Sequence, residues 1–109
     1  MTESELKSSC PNVYKSYKAK KGAVTRIAKK SKWLNVKVQY TDYSEKPACD
    51  AETICRLKAE DVVRNGLWEA VRDHLTEAGR IGEGNTDFLI LHVVGFGEGW
   101  QQITGEVVF

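Results

Sequence analysis

The sequence predicts an α+β domain: a mainly antiparallel sheet of about four strands in the order β-β-α-β-β, with one long helix on a face and a basic segment at the N-terminus. Three observations carry this. Phe88–Phe96 is apolar on both faces and passes through Gly95, Gly97 and Gly99 into a half-polar run ending at Phe109, the pattern of a β-hairpin. Trp33–Tyr43 alternates apolar and polar residues with a period of two. Ala59–Ala78 carries one apolar stripe at helical spacing.

With 109 residues the chain is expected to form a single domain over 13–109, preceded by a loosely ordered start at 1–12 rich in Ser, Glu and Lys. Cys10-Pro11-Asn12 reads as a break. No apolar run approaches the roughly 18 residues of a membrane span. The opening Met-Thr-Glu-Ser-Glu-Leu lacks the basic start and apolar stretch of a secretory signal. Three cysteines, Cys10, Cys49 and Cys55, cannot all pair within one chain, and free thiols fit a reducing, cytoplasmic setting.

The segment 13–32 supports two readings. Val13 and Tyr17 are four apart, and Val24, Ile27 and Ala28 keep helical spacing, which gives two short helical pieces parted at Gly22. A strand over Ala23–Ala28 is the alternative. Trp33–Tyr43 then forms a half-buried strand, with Leu34, Val36, Val38 and Tyr40 facing one way and Asn35, Lys37, Gln39 and Thr41 the other. Asp42–Asp50, with Ser44 and Pro47, is a loop. Thr53, Cys55 and Leu57 alternate with Glu52, Arg56 and Lys58, giving a second, shorter strand over Glu52–Lys58; Ile54 interrupts its pattern, so a helix starting there is the alternative.

In the helix Ala59–Ala78, Val63, Leu67, Ala70, Val71, His74, Leu75 and Ala78 share the stripe. Glu60 and Asp61 suit the positive end of its dipole, and Gly79 suits its stop. Gly66, inside it, reads as a point of close packing against the sheet. In Phe88–Phe96, strict alternation puts Phe88, Ile90, Val94 and Phe96 on one side with His92, and Leu89, Leu91 and Val93 on the other. A strand apolar on both faces is central and covered on both, by a helix or a partner chain on each side. The last strand, Trp100–Phe109, is tied into the sheet or presented at an edge.

Charge is segregated along the chain. Residues 7–37 hold nine lysines, one arginine and no acid, whereas residues 38–109 hold thirteen acids and six bases. Clustered cations neutralise phosphates and release counterions. Interleaved aromatic rings stack on exposed bases. The nucleic-acid-contacting residues expected from this are Lys15, Lys18, Lys20, Lys21, Arg26, Lys29, Lys30 and Lys32, with Tyr14, Tyr17 and Trp33 as stacking groups. The excess of lysine favours sequence-independent phosphate contact over bidentate base reading. Weighed against this is a solvated lysine face paired with the acidic remainder of the same protein.

Other constellations are weaker. The loop Gly95-Phe96-Gly97-Glu98-Gly99 is not followed by a helix, no P-loop is present, and Glu98 would repel a phosphate; the loop reads as a hairpin turn needing positive φ. His74 and His92 could face a common interior beside Cys49 or Cys55, but no metal-ligand spacing accompanies them, and they read as core histidines. Glu69 and Asp73 read as solvated surface. No catalytic set and no cofactor is expected. The expected function is therefore a small, non-catalytic nucleic-acid-binding accessory protein. The rival is a protein-interaction module, an adaptor, inhibitor or homodimeric subunit, joined through the last hairpin or through opposite charges.

Overall fold

A computed structural model describes residues 3–109 of the chain. Met1 and Thr2, the first two residues of the loosely ordered start, lie outside the described residues. The elements are α1 (Glu3–Ser9), α2 (Pro11–Lys29), β1 (Trp33–Asp42), β2 (Cys49–Lys58), α3 (Ala59–Asn65), α4 (Leu67–Glu77), β3 (Phe88–Phe96) and β4 (Ile103–Val108). The class is α+β. The four strands form one antiparallel sheet in the order β2-β1-β3-β4.

The basic segment is one continuous helix. Pro11 occupies its first turn, where a missing N–H costs nothing, and Tyr14 N–H donates to Cys10 O at 2.9 Å. Gly22 does not part it: a side chain there would meet only Arg26 Nη1, at 3.7 Å. The helix prevails over a strand at Ala23–Ala28 because Val24 and Ala28 fall on one side and enter the core, with Ile27 packed beside them. The helix ends at Lys29, and just beyond it the Ser31 hydroxyl donates to Ile27 O at 2.6 Å.

The long helix expected over Ala59–Ala78 is two helices. Gly66 separates them at φ 93°, ψ 154°, a backbone conformation that a side chain disfavours. It is a break, not a point of sheet packing. The turn displaces Val63 from the stripe, leaving it 42% exposed, while Val62, Leu67, Ala70, Val71 and Leu75 are buried. Gly79 stops α4 as expected, with φ 72° and Arg80 N–H donating to Leu75 O at 2.9 Å. Trp68 of α4 stacks on Phe88 of β3 with ring centroids 5.1 Å apart.

All the helices that pack on the sheet cover the same face. Leu34, Val36, Val38 and Tyr40 of β1 and Cys55 and Leu57 of β2 point into that core. Ile54, the misfit in the β2 pattern, points out of the opposite face and is 59% exposed. β3 carries a β-bulge: Lys37 pairs with His92, but Val38 pairs with Ile90. Leu91 is therefore the extra residue, and strict alternation fails there. Phe88, Ile90, Val93 and Gly95 face the helices, whereas Leu89, His92, Val94 and Phe96 face away. The two-sided apolar character of β3 is real, but among the described residues only one of its sides has a cover.

A second device lets α2 approach the sheet closely. Gly95 and Gly105 are opposite one another across β3 and β4, and Ile27 lies over both. A β-carbon on Gly105 would stand 3.0 Å from Ile27, and one on Gly95 would stand 2.6 Å from Ser31 Oγ. Ser31 and Thr104 hydroxyls share a hydrogen bond of 2.5 Å beside this notch. Gly97 and Gly99, read as turn glycines, do not adopt positive φ; the hairpin closes through Gly97 N–H to Gln102 O at 2.7 Å and Gln102 N–H to Gly99 O at 3.0 Å.

Candidate functional site

The expected contact residues fall into two places. At helical spacing, Lys15, Lys18, Arg26 and Lys29 occupy one sector of α2 about 80° wide, opposite the buried Val24. All four are exposed. Lys30 and Lys32 extend this cationic strip past the end of the helix, and both are exposed. Arg26 and Lys29 also lie in the last turn, where positive charge offsets the helix dipole. Among the described residues, none of Lys15, Lys18, Arg26, Lys29, Lys30 and Lys32 stands within 4.0 Å of a carboxylate. Lys21 lies beside the strip and has an interaction partner, whereas Lys20 falls on the inward side of α2 between Val24 and Ile27; both are half-buried.

The expected stacking groups do not join this strip. Tyr14 is half-buried with Lys7 Nζ 5.9 Å from its ring centroid. Tyr17 is turned inward against Phe109, centroids 6.1 Å apart. Trp33 lies on the opposite side of the sheet. There its ring stacks on Trp100 at 5.8 Å, and Phe96 tilts against Trp100 at 5.2 Å. The Arg56 guanidinium covers the same Trp100 ring at 4.7 Å.

This aromatic group is one end of the uncovered sheet face. Strand pairing arranges that face in rows. Lys58, Trp33, Phe96 and Ile103 form the first, and Arg56, Asn35, Val94 and Glu106 the second. Ile54, Lys37, His92 and Val108 form the third. Ile54 (59%), Leu89 (63%), Trp100 (41%), Ile103 (65%) and Val108 (64%) are exposed here; only Tyr43 and Val63 among the described large apolar residues are as exposed elsewhere. Sequence reading missed this surface because it takes four strands in register to assemble it. Its only signals were the two-sided β3 and the misfit of Ile54.

The face is also charged, by Lys58, Arg56, Lys37, Glu52 and Glu106. Lys37 Nζ lies 3.5 Å from Glu52, and His92 Nε2 lies 3.2 Å from Glu106. His92 is therefore a surface residue on the face opposite the helices. His74, on α4, is on the other side of the sheet and half-buried. The common interior expected for the two histidines does not exist. Cys55 is buried on the helix side, and burial pushes its thiol up to about 11. Cys49 is exposed at the start of β2. Among the described residues, no three His, Cys, Asp or Glu side chains gather as a metal site. No described helix is long and apolar enough to cross a membrane.

A shallow depression lies at the far end of the sheet, between Tyr40, Tyr43 and Arg80. Its polar groups are already engaged. Arg80 donates to the Tyr40 hydroxyl at 3.2 Å, and Tyr43 donates to Asp87 at 2.5 Å, which raises the Tyr43 phenol above its ordinary range. Hydrogen bonds from Ser44 hold Asp42 below the usual carboxylate range. Compared with known protein families, curated proteins and solved structures, the chain matches none.

Proposed function

We propose that this chain is a small, non-catalytic nucleic-acid-binding accessory protein that grips phosphates with the outward strip of α2. The observation that supports this is the unpaired state of Lys15, Lys18, Arg26, Lys29, Lys30 and Lys32 among the described residues. Had these cations served to neutralise the acidic remainder of the chain, carboxylates of α3, α4 or the loops would stand against them. Arg64 and Arg72 are so paired, but with neighbours on their own helices. A strip of free cations on a rigid helix is suited to a polyanion. The span from Lys15 to Lys29 is about 21 Å at about 1.5 Å per residue, enough to meet several successive phosphates.

The grip in this reading is electrostatic only. Tyr14, Tyr17 and Trp33 contribute no stacking beside the strip, so binding is independent of sequence and indifferent to unpaired bases. Fluorescence anisotropy with labelled duplex across a salt series tests it. The expected log–log slope is about −3.5 to −5.5, about −0.9 for each of roughly four to six phosphates. Replacing Lys15, Lys18, Arg26 and Lys29 together with glutamine is expected to weaken binding at least a hundredfold at low salt. Salt-independent binding, or binding that survives the fourfold substitution, would sink the proposal.

The uncovered sheet face supports a second reading, that of a protein-interaction module. An apolar patch on this scale, rimmed by charge, is the kind of surface that proteins use to meet one another.

A further inference from the structure

We infer that the uncovered sheet face is a homodimer interface, in which a second copy of this chain lies face to face across a two-fold axis parallel to the strands and midway between β1 and β3. The observation that selects this occupant is the distribution of side chains across the rows. In the second row Arg56 stands on one edge strand and Glu106 on the other. A two-fold along the strands carries β2 of one copy over β4 of its mate and keeps each row level. Arg56 then meets Glu106 of the second copy, and the contact occurs twice. In the third row, Ile54 meets Val108 in the same way. The Trp33–Phe96 end, capped by Trp100, meets its own equivalent.

The other isologous arrangement, with the axis across the strands, lays Arg56 against Ile54 and Trp33 against Gln39. It pairs Lys58 with Glu52 but sets Arg56 and Glu106 against the aliphatic Ile54 and Val108, whereas the first arrangement pairs Arg56 with Glu106 and leaves Lys58 against Ile103.

The groups are free to make these contacts. Arg56 is exposed, and stacking on Trp100 occupies only the flat of its guanidinium, leaving the N–H edge for a carboxylate. Glu106 is 62% exposed and engages His92 through one oxygen, so it can accept further donors. Lys37 and His92, which approach each other near the axis, each already hold a carboxylate of their own copy. Sheets stacked in this way sit about 10 Å apart with their strands crossed at about 30°. The face is small. About four strands at about 4.8 Å by about seven residues at about 3.3 Å give a footprint on the order of 450 Å² per copy, at the low end for a specific interface. The dimer is therefore a weak one, formed in the micromolar range.

Nucleic-acid binding uses the opposite side of the molecule and is not needed for this interface. Sedimentation velocity of the full chain from 5 to 500 μM tests the dimer, with two charge variants measured alone and mixed. Arg56→Glu leaves two carboxylates facing each other at both contacts of its homodimer, and Glu106→Arg leaves two guanidinium groups. Each alone is expected to dimerise at least tenfold more weakly than the native chain. In an equimolar mixture the glutamate introduced at position 56 of one chain faces the arginine introduced at position 106 of the other. The native Glu106 of the first chain faces the native Arg56 of the second, so both contacts are again of opposite charge and the dimer returns. Recovery also shows that both variants are folded. Rescue within one chain is not available, because β2 and β4 are three strand spacings apart, about 14 Å. Trp100→Ser, which removes the exposed aromatic, is expected to weaken the dimer without regard to charge. A native chain that stays monomeric at 500 μM overturns the inference. So does a dimer that both charge variants leave intact, or one that the mixture fails to restore, since association would then run through an edge strand or the helices. If Trp100→Ser or Arg56→Glu abolishes duplex binding while the native chain stays monomeric, the face belongs to nucleic acid instead.

Discussion

At the scale of single residues, what matters most is space. Gly95 sits where α2 meets the sheet, and a methyl group there would press on Ile27, Thr104 and Ser31 together. None of these is the free end of a long side chain, so none can yield cheaply. Gly95→Ala is expected to cost about 1–3 kcal/mol through overpacking, read as a fall in the denaturant midpoint with an unchanged m-value. An unchanged midpoint would show that the notch is slack. Gly95 looked like a loop residue in the sequence because it begins the spaced glycine series, and nothing local reveals which helix will lie across a strand. Cys55 gives the residue-scale pH prediction. Burial raises its thiol from the ordinary 9.0 to about 11, so the folded state holds the proton more tightly than the unfolded state. The resulting stability is complete below pH 9 and is lost as pH rises from 9 towards 11. Replacing Cys55 with valine is expected to flatten that decline while leaving stability near pH 7 within about 1.5 kcal/mol. In the native chain, Cys49 should react with a thiol reagent at neutral pH while Cys55 stays protected until unfolding.

At the scale of elements, the strands were legible and the helices less so. β1 could be read because period-two burial is a local property, and β3 because its apolar run stands out between glycine-rich breaks, although its alternation fails at the bulge. The helical pattern in the basic segment competed with β-branched residues and a central glycine, and what decided it was tertiary burial of Val24 and Ala28. The break at Gly66 was hidden for the opposite reason. The apolar stripe continues through it in sequence, and only the backbone shows that α3 and α4 diverge. Gly66→Ala places a β-carbon at φ 93° and 2.9 Å from Glu69 Oε2. It is expected to destabilise by about 1–2 kcal/mol despite alanine's better helix propensity. A gain in thermal midpoint would mean that the two helices fuse into the single one that periodicity suggested. The bulge at Leu91 has the largest consequence. One extra residue moves Val94 and Phe96 from the side of Phe88 to the uncovered face, and without it the aromatic group around Trp100 could not assemble.

At the scale of the whole molecule, the charge segregation that is plain in the sequence becomes a separation of surfaces. The cationic strip lies outside the helical layer, and the aromatic and aliphatic face lies on the far side of the sheet. The sequence showed the cations well because they are contiguous in the chain. It grouped Trp33 with them for the same reason, and wrongly in space, since one turn of chain after Lys29 carries it through to the other face. Because the two surfaces point in opposite directions, dimerisation through the sheet leaves two cationic strips facing outward on opposite sides of the assembly. If the strips grip phosphates as proposed, such a dimer would hold two duplexes at once, whereas a monomer would hold one. Capture of a fluorescent duplex by an immobilised duplex of different sequence is therefore expected to require protein at concentrations where dimer forms. Arg56→Glu alone should bind duplex with native affinity yet fail to bridge, and adding an equal amount of Glu106→Arg should restore bridging. The fourfold glutamine substitution on α2 should dimerise normally and neither bind nor bridge. Bridging by Arg56→Glu alone at native efficiency would show instead that each monomer carries two nucleic-acid surfaces, and that the uncovered sheet face is one of them.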